Sequence, residues 1–251
     1  MDFKGKSVVI TGSGAGVGKK TAEKFLQHGA RVMINDRNEE VLKTAEHGLK
    51  QYGDVVSFAA DVIDLDAVQK MADTAIQTFG KVDVWLNNAG TSRAIKPFIE
   101  LTPKEWDFDI KLNLVGVLNG CKAILPHFIA NEKGKIVNTV SDGGRVGEKN
   151  LSVYSAAKAG VIGFTKSLAR EVGKYNIMVN CVSLGATRTE NMARLFEAVP
   201  DMEGKMSRAY ALRRIGEMED AANALLMLSS DYTTWITGQT LSSSGGFSFV
   251  S

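Results

Sequence analysis

Residues 11–21 read TGSGAGVGKKT, directly after the apolar run Ser7-Val8-Val9-Ile10 and at the head of a helical pattern. Glycines packed this densely between a strand and a helix let backbone come close to a phosphate, and a helix start offers it unpaired amides. A triphosphate loop needs Gly, four residues, then Gly-Lys-Ser/Thr, the hydroxyl being the magnesium ligand. Around Gly18-Lys19, Ser13 stands where the first glycine belongs and Lys20 where the hydroxyl belongs, so that ligand is missing. The fingerprint Gly-x-Gly-x-x-Gly is incomplete too, since neither Gly12 nor Gly14 begins a full match. What stands is Gly12-x-x-x-Gly16-x-Gly18, whose meaning depends on the chain around it.

That chain alternates short β-branched runs with longer helical patterns, the mark of strands joined by helices into a parallel sheet. Strands are predicted at 7–11, 31–36, 55–60, 82–86, 135–140, 177–183 and 239–242, and helices at 17–28, 39–52, 65–79, 103–131, 152–174 and 219–229. The expected fold is α/β, a doubly wound parallel sheet in one domain spanning 1–251, with ligands beyond the carboxyl ends of the strands. A chain of 251 residues, 44% hydrophobic, suffices for one such core. A net charge of +2 speaks against nucleic acid or an anionic membrane and leaves a small molecule as the expected partner. Cys121, Cys181, His28, His47 and His127 lack metal or disulfide spacing, so no metal site is expected. Residues 1–6 lack an apolar signal segment and no later run approaches membrane-spanning length, which points to a cytoplasmic protein.

Asp36 ends the second predicted strand, where a dinucleotide fold places the acid that binds the adenosine ribose. Its charge would repel a 2′-phosphate and favour NAD. Arg37 pulls toward NADP, and Asp36-Arg37-Asn38 also reads as a plain helix-capping turn. Further on, Tyr154 and Lys158 are four apart on a predicted helix and share one face. A nearby ammonium would lower the tyrosine's pKa from about 10 and make the phenol a usable base. Ser141, at the end of the preceding strand, places a hydroxyl on the ligand side of the sheet, where it can hold a substrate oxygen.

On these residues the chain is similar, over essentially its whole length, to the short-chain dehydrogenase/reductase family. Thr11-Gly12-x-x-x-Gly16-x-Gly18, with Ser13, Gly14 and Val17 inside it, resembles that family's cofactor loop, and Asn87-Asn88-Ala89-Gly90 its motif after the fourth strand. Ser141, Tyr154 and Lys158 match its catalytic set, and Asn113 matches the asparagine that holds a water linking the lysine to solvent. Asp61-Val62 matches the pair at the adenine, and Thr187 and Thr189 match contacts to the nicotinamide carboxamide. The resemblance implies a Rossmann-type fold, a nicotinamide cofactor, alcohol–ketone interconversion with Tyr154 as general base, Lys158 on the nicotinamide ribose, and a homotetramer.

Two departures stand out. Ser183-Leu184-Gly185 carries leucine where the family has proline, so the turn bearing Thr187 and Thr189 is expected to be less fixed. Residues 241–246, LSSSGG, replace the more familiar Val-Asp-Gly-Gly at a common subunit interface. Substrate choice is expected from residues 141–147 and from a lid at about 186–212. The former, SDGGRVG, resembles the loop in dehydrogenases of alicyclic hydroxyacyl-CoA thioesters, which makes Asp142 and Arg145 substrate candidates; alternatively the two pair and only shape the loop. The lid mixes Met192, Leu195, Phe196, Met202 and Met206 with Arg188, Arg194, Lys205 and Arg208, as an apolar cover with a basic rim would, although helical spacing also fits the apolar residues as ordinary core. The alternatives to a hydroxyacyl-CoA enzyme are a dehydrogenase of a small uncharged cyclic or steroid-like alcohol and a non-catalytic cofactor-binding scaffold.

Overall fold

In the computed structural model, which describes residues 1–249, each β-branched run becomes a strand: β1 (Ser7–Ile10), β2 (Arg31–Asp36), β3 (Val55–Ala59), β4 (Val84–Asn87), β5 (Gly134–Ser141) and β6 (Ile177–Leu184). β7 (Thr187–Arg188) and β8 (Gly216–Glu217) form a separate pair, and β9 (Thr240–Ser243) closes the main sheet. The main sheet is seven-stranded, all its pairs are parallel, and its order is β3-β2-β1-β4-β5-β6-β9. The order reverses between β1 and β4, which places the ligand crevice of a doubly wound sheet at their carboxyl ends.

The connecting helices are α1 (Gly16–Gln27), α2 (Glu39–Leu49), α3 (Leu65–Phe79), α4 (Pro103–Ile110), α5 (Gly116–Ala130), α6 (Gly143–Val146), α7 (Ser152–Val172), α8 (Glu190–Ala198), α9 (Met202–Ser207) and α10 (Met218–Ser229). Strand side chains alternate between two cores. Val9, Trp85, Ile136 and Val179 join residues of α3, α5 and α7, whereas Val8, Ile10, Leu86, Val137 and Val182 join those of α1, α2 and α10. Every residue of β1 and β4 is buried, which is why these strands read as continuous apolar runs. Each such Val, Leu or Ile contributes about 1.5–3 kcal/mol of burial, so the strands that carry the crevice are the best anchored.

Three expectations change. The stretch Pro103–Ala130 is helical over 28 residues and apolar enough by composition to cross a membrane, contrary to the expectation that no run approaches that length. Its Val117, Cys121, Ile124 and Phe128 are instead core residues. The stretch is also not one α-helix, because Lys111–Val115 is a π-turn, a feature that often marks functional sites. Lastly, the irregular region 186–212 contains β7, α8 and α9, and neither helix buries any residue.

Candidate active site

Thr11, just past β1, ties two loops together. Its Oγ1 accepts the amides of Asn88 (2.9 Å) and Ala89 (3.1 Å), while Asn88 Nδ2 donates to the carbonyls of Thr11 and Gly12, both at 3.0 Å. Gly12 has φ +61°, and a Cβ there would lie 2.6 Å from Ala89 Cα; one on Gly18 would lie 2.3 Å from the Gly12 carbonyl oxygen. These two glycines serve close packing. Gly16 opens α1 at φ +57°, and the N-cap, Ala15, has no side chain to close the helix start. The first turn holds no acid, so its amides and the positive helix end are left for an anion. Val17 follows, half-exposed. Ser13 is a correction: its amide donates to Asn35 O (2.7 Å) and its Oγ to Ile10 O (2.7 Å), so it is occupied within the sheet and has no donor for a phosphate.

An open groove of ≈ 720 Å³ lies past the ends of β2 and β3, lined by Arg37, Asn38, Glu39, Ala59, Ala60 and Asp61. Asp36 stands beside Gly14, where a Cβ would lie 2.9 Å from Oδ2. Its other oxygen accepts the Asn38 amide (2.9 Å), and Asn38 caps α2, so the capping turn and an acid facing the loop coexist. Val62 is buried, with Cγ2 packed against Gly116 of α5, so only its backbone is left to meet a ligand beside Asp61, which lines the groove.

Beyond the groove, the ends of β5 and α7 bring Ser141, Tyr154 and Lys158 together. Lys158 Nζ lies 5.8 Å from the Tyr154 ring centre and donates to Thr139 O (3.0 Å). A Cβ on Gly90 would sit 2.8 Å from both Lys158 Nζ and Asn113 Oδ1, so the glycine leaves these groups room to face each other. The π-turn carries Asn113, whose Nδ2 donates to Thr91 O and Asp109 O (2.9 Å each) and whose buried Oδ1 has no partner among the described residues. Burial pushes the Tyr154 phenol up to about 12; a hydrogen bond with Ser141 pulls it down, and Glu148 and Asp109 push it further up. Burial also drives Lys158 down to about 8. The expectation that Lys158 lowers the tyrosine's pKa is thus not met in the protein alone, where burial outweighs the hydrogen bond and the ammonium is turned to a carbonyl.

Asp142 leaves the substrate set. It is 1% exposed and accepts from Ser183 (2.5 Å) and Ser248 (2.6 Å), with Arg145 at 3.6 Å, so the two residues pair and shape the loop. Arg145, its side chain 10% exposed, is not free for a substrate either. The turn after β6 is better held than leucine in place of proline implies. Ala186 donates to Tyr210 Oη (2.8 Å), Gly185 to Ser243 O (3.3 Å), and β7 pairs Thr187 with Gly216. Thr189 caps α8 and lies 3.6 Å from the position of a Gly16 Cβ, on the crevice side. Tyr210 and Glu148 are additions that sequence reasoning missed. Tyr210 sits in an irregular stretch, and Glu148 approaches Ser141 across Gly143, where a Cβ would lie 3.3 and 3.4 Å from their side-chain oxygens.

A loop whose helix start suits a pyrophosphate, an acid at the ribose position and a phenol–ammonium pair at the far end fit a nicotinamide dinucleotide and define an alcohol-handling oxidoreductase. Residues 12–248 match the family described as enoyl-(acyl carrier protein) reductase. The chain is 36% identical over 250 residues to 3-oxoacyl-(acyl-carrier-protein) reductase FabG of Thermotoga maritima, covering 98% of this chain and 99% of that one. It is 37% identical over 247 residues to (2S)-((R)-hydroxy(phenyl)methyl)succinyl-CoA dehydrogenase subunit BbsD of Thauera aromatica, covering 98% of each. A short-chain type dehydrogenase/reductase from Mycobacterium ulcerans superposes with a TM-score of 0.94 at 26% identity, over 98% of this chain and 91% of that one. The chain belongs to the short-chain dehydrogenase/reductase family, as an oxidoreductase of secondary alcohols and ketones that uses a nicotinamide cofactor.

Proposed function

We propose that this protein is an NAD-preferring dehydrogenase/reductase whose substrate is a hydroxyacyl-CoA thioester or its ketone. The meeting of Ser141, Tyr154, Lys158 and Asn113 at one crevice carries the catalytic part of this reading. The α1 start, Asp36, Asp61, Ala89, Gly90, Thr187 and Thr189 would hold a nicotinamide dinucleotide, which when bound would supply the hydride acceptor in oxidation and the donor in reduction. Tyr154 gives its phenolic proton to the carbonyl oxygen in reduction and takes it back in oxidation. Ser141 donates to that oxygen and holds it beside the phenol. Lys158, released from Thr139 O, would bind the cofactor's ribose, and the unpaired Asn113 Oδ1 offers the acceptor that a proton relay behind Gly90 needs.

The NAD preference rests on Asp36 Oδ2 beside Gly14. Asp36→Ser is expected to weaken NAD and improve NADP together, because the ribose acceptor and the repulsion of the 2′-phosphate disappear at once and leave Arg37 to pair. Better kcat/KM with NADP than with NAD in the wild type would reverse the assignment.

The thioester reading draws on the relatives, whose names place the acyl group on CoA or acyl carrier protein. With Arg145 occupied, Arg208 is the strongest cation for the carrier's phosphate. It shares a cavity of ≈ 350 Å³ with Glu203, Gly204, Ser207 and Arg213 at the end of α9. Arg208→Ala is expected to raise KM for a hydroxyacyl-CoA by roughly 10-fold, leaving the same alcohol carried on a small ester unaffected. If the wild type turns over both compounds with equal kcat/KM, an uncharged cyclic alcohol under the apolar lid is the better substrate. We also read the exposed Phe98 and Ile99 and the exposed Tyr232 and Trp235 as subunit faces of a homotetramer, which a native mass measurement checks.

A further inference from the structure

Residues 244–248 run across the carboxyl ends of β5, β6 and β9 and are fixed at two places. The first is Asp142, the neighbour of Ser141. Its carboxylate accepts from Ser248 Oγ (2.6 Å), Ser183 Oγ (2.5 Å) and Ser242 Oγ (3.3 Å), and Ser242 meets Ser244 hydroxyl to hydroxyl at 2.8 Å. Arg145 Nη1 reaches both this carboxylate (3.6 Å) and Ser248 Oγ (3.4 Å). Burial alone would raise the acid's pKa. The hydroxyls of Ser183, Ser248 and Ser244, with Arg145, reverse that and hold it below the ordinary value, so the group is an anion that gathers donors from separate segments.

The second fixed point is the base of the lid. The Phe247 ring lies 5.3 Å from that of Tyr210, and Leu212 donates to Gly245 O (3.0 Å). Tyr210 Oη in turn accepts the Ala186 amide, in the turn that leads to Thr187 and Thr189. Gly246 has φ +76°, and a Cβ there would lie 2.6 Å from Ala211 Cβ, so backbone rests directly on the lid's root. Among the described residues the two fixed points are joined by this segment and by the end of β6, where the Asp142 amide donates to Leu184 O (3.0 Å).

We propose that residues 244–248 are a strap that couples the Ser141 loop to the substrate lid, with Ser248 and Phe247 as positioning residues at its two ends. A hydroxyl on an anchored carboxylate sets the register of the strap. The register sets where Phe247 meets Tyr210, and Tyr210 sets the turn that carries the lid. Displacement at either end therefore reaches both walls of the substrate site while the adenosine groove stays untouched. The functional consequence rests on the role given to Ser141 above, whereas the coupling itself does not.

Hydrogen–deuterium exchange on the protein alone separates the two, together with steady-state kinetics and cofactor titration. Ser248→Ala is expected to speed exchange in residues 141–147 and also in 186–212, which Ser248 does not touch; Phe247→Ala should do so in the same two segments. Each should lower kcat/KM for substrate by roughly 10-fold through a misplaced site and raise cofactor Kd by less than that, since of the residues assigned to the cofactor only Thr187 and Thr189 lie in the loosened segments. The double variant should lose less than the product of the singles, because the second change breaks a strap already released. Ser248→Thr, which keeps the hydroxyl, should behave as wild type. Exchange confined to 141–147 in one variant and to 186–212 in the other, with multiplicative losses, overturns the strap. If Phe247→Ala does not fold, Phe247→Leu reads the same coupling. Faster exchange in both segments without any loss of turnover would keep the strap and instead remove Ser141 from catalysis.

Discussion

Tyr154→Phe is expected to lower kcat by about 10²-fold or more while the affinity for the nicotinamide cofactor stays near that of the wild type. The substitution removes one hydroxyl from the start of α7 and keeps the ring that faces Lys158. Ser141 Oγ accepts the Gly143 amide (3.1 Å) and keeps its proton for a hydrogen bond to the substrate oxygen, an aliphatic hydroxyl being too weak an acid to give it up, and Lys158 is bound to Thr139 O. Because burial pushes the phenol up to about 12, it is protonated across the neutral range. Reduction, which needs the acid, should then be nearly independent of pH up to mildly alkaline conditions. Oxidation, which needs the phenolate, should quicken as pH rises. Kinetics in both directions with cofactor titration check this, and a variant that keeps more than about a tenth of wild-type kcat removes Tyr154 as the acid–base group.

The parts of the fold that could be read from the sequence are those where one environment dominates each residue. β1 and β4 are buried on both faces, so their apolar runs were unambiguous, and the helix expected at 65–79 forms as Leu65–Phe79, capped by Asp64 and ended at Gly80. The π-turn at Lys111–Val115 was not, since one extra residue in a helical turn leaves the composition unchanged. Site residues divide in the same way. Tyr154 and Lys158 share a helix face by their spacing, and in the fold the ammonium lies 5.8 Å from the ring centre. Ser13 misled because a glycine-rich loop shows that backbone approaches something, without showing which amides are already used. Asp142 misled because its partners, Ser183, Ser242 and Ser248, come from other strand ends and the chain terminus, which only the sheet order brings together.

Lys158→Met should abolish turnover and weaken the cofactor, but its distinctive effect is on how stability depends on pH. Lys158 is 3% exposed, and burial drives its ammonium from 10.5 to about 8. Below about pH 8 both folded and unfolded chains carry the charge, and the full cost of burying it is present. Between about 8 and 10.5 the folded protein has lost the proton and the unfolded chain keeps it, so stability rises with pH by up to about 1.4 kcal/mol per unit. Lys135, also lowered to about 8 by burial, adds a slope of the same sign. Tyr154, raised above 10, contributes with the opposite sign only above that pH. The comparison is therefore made by urea unfolding at pH 7 and pH 9.5, where wild type should gain about 2 kcal/mol more than Lys158→Met, whose remaining slope comes from Lys135. Parallel changes in the two proteins would mean that the lysine titrates as if exposed, and its ammonium could not then be the poised charge that the crevice assigns to it. A steeper wild-type slope together with unaltered cofactor affinity would keep the buried ammonium and remove only its contact with the ribose.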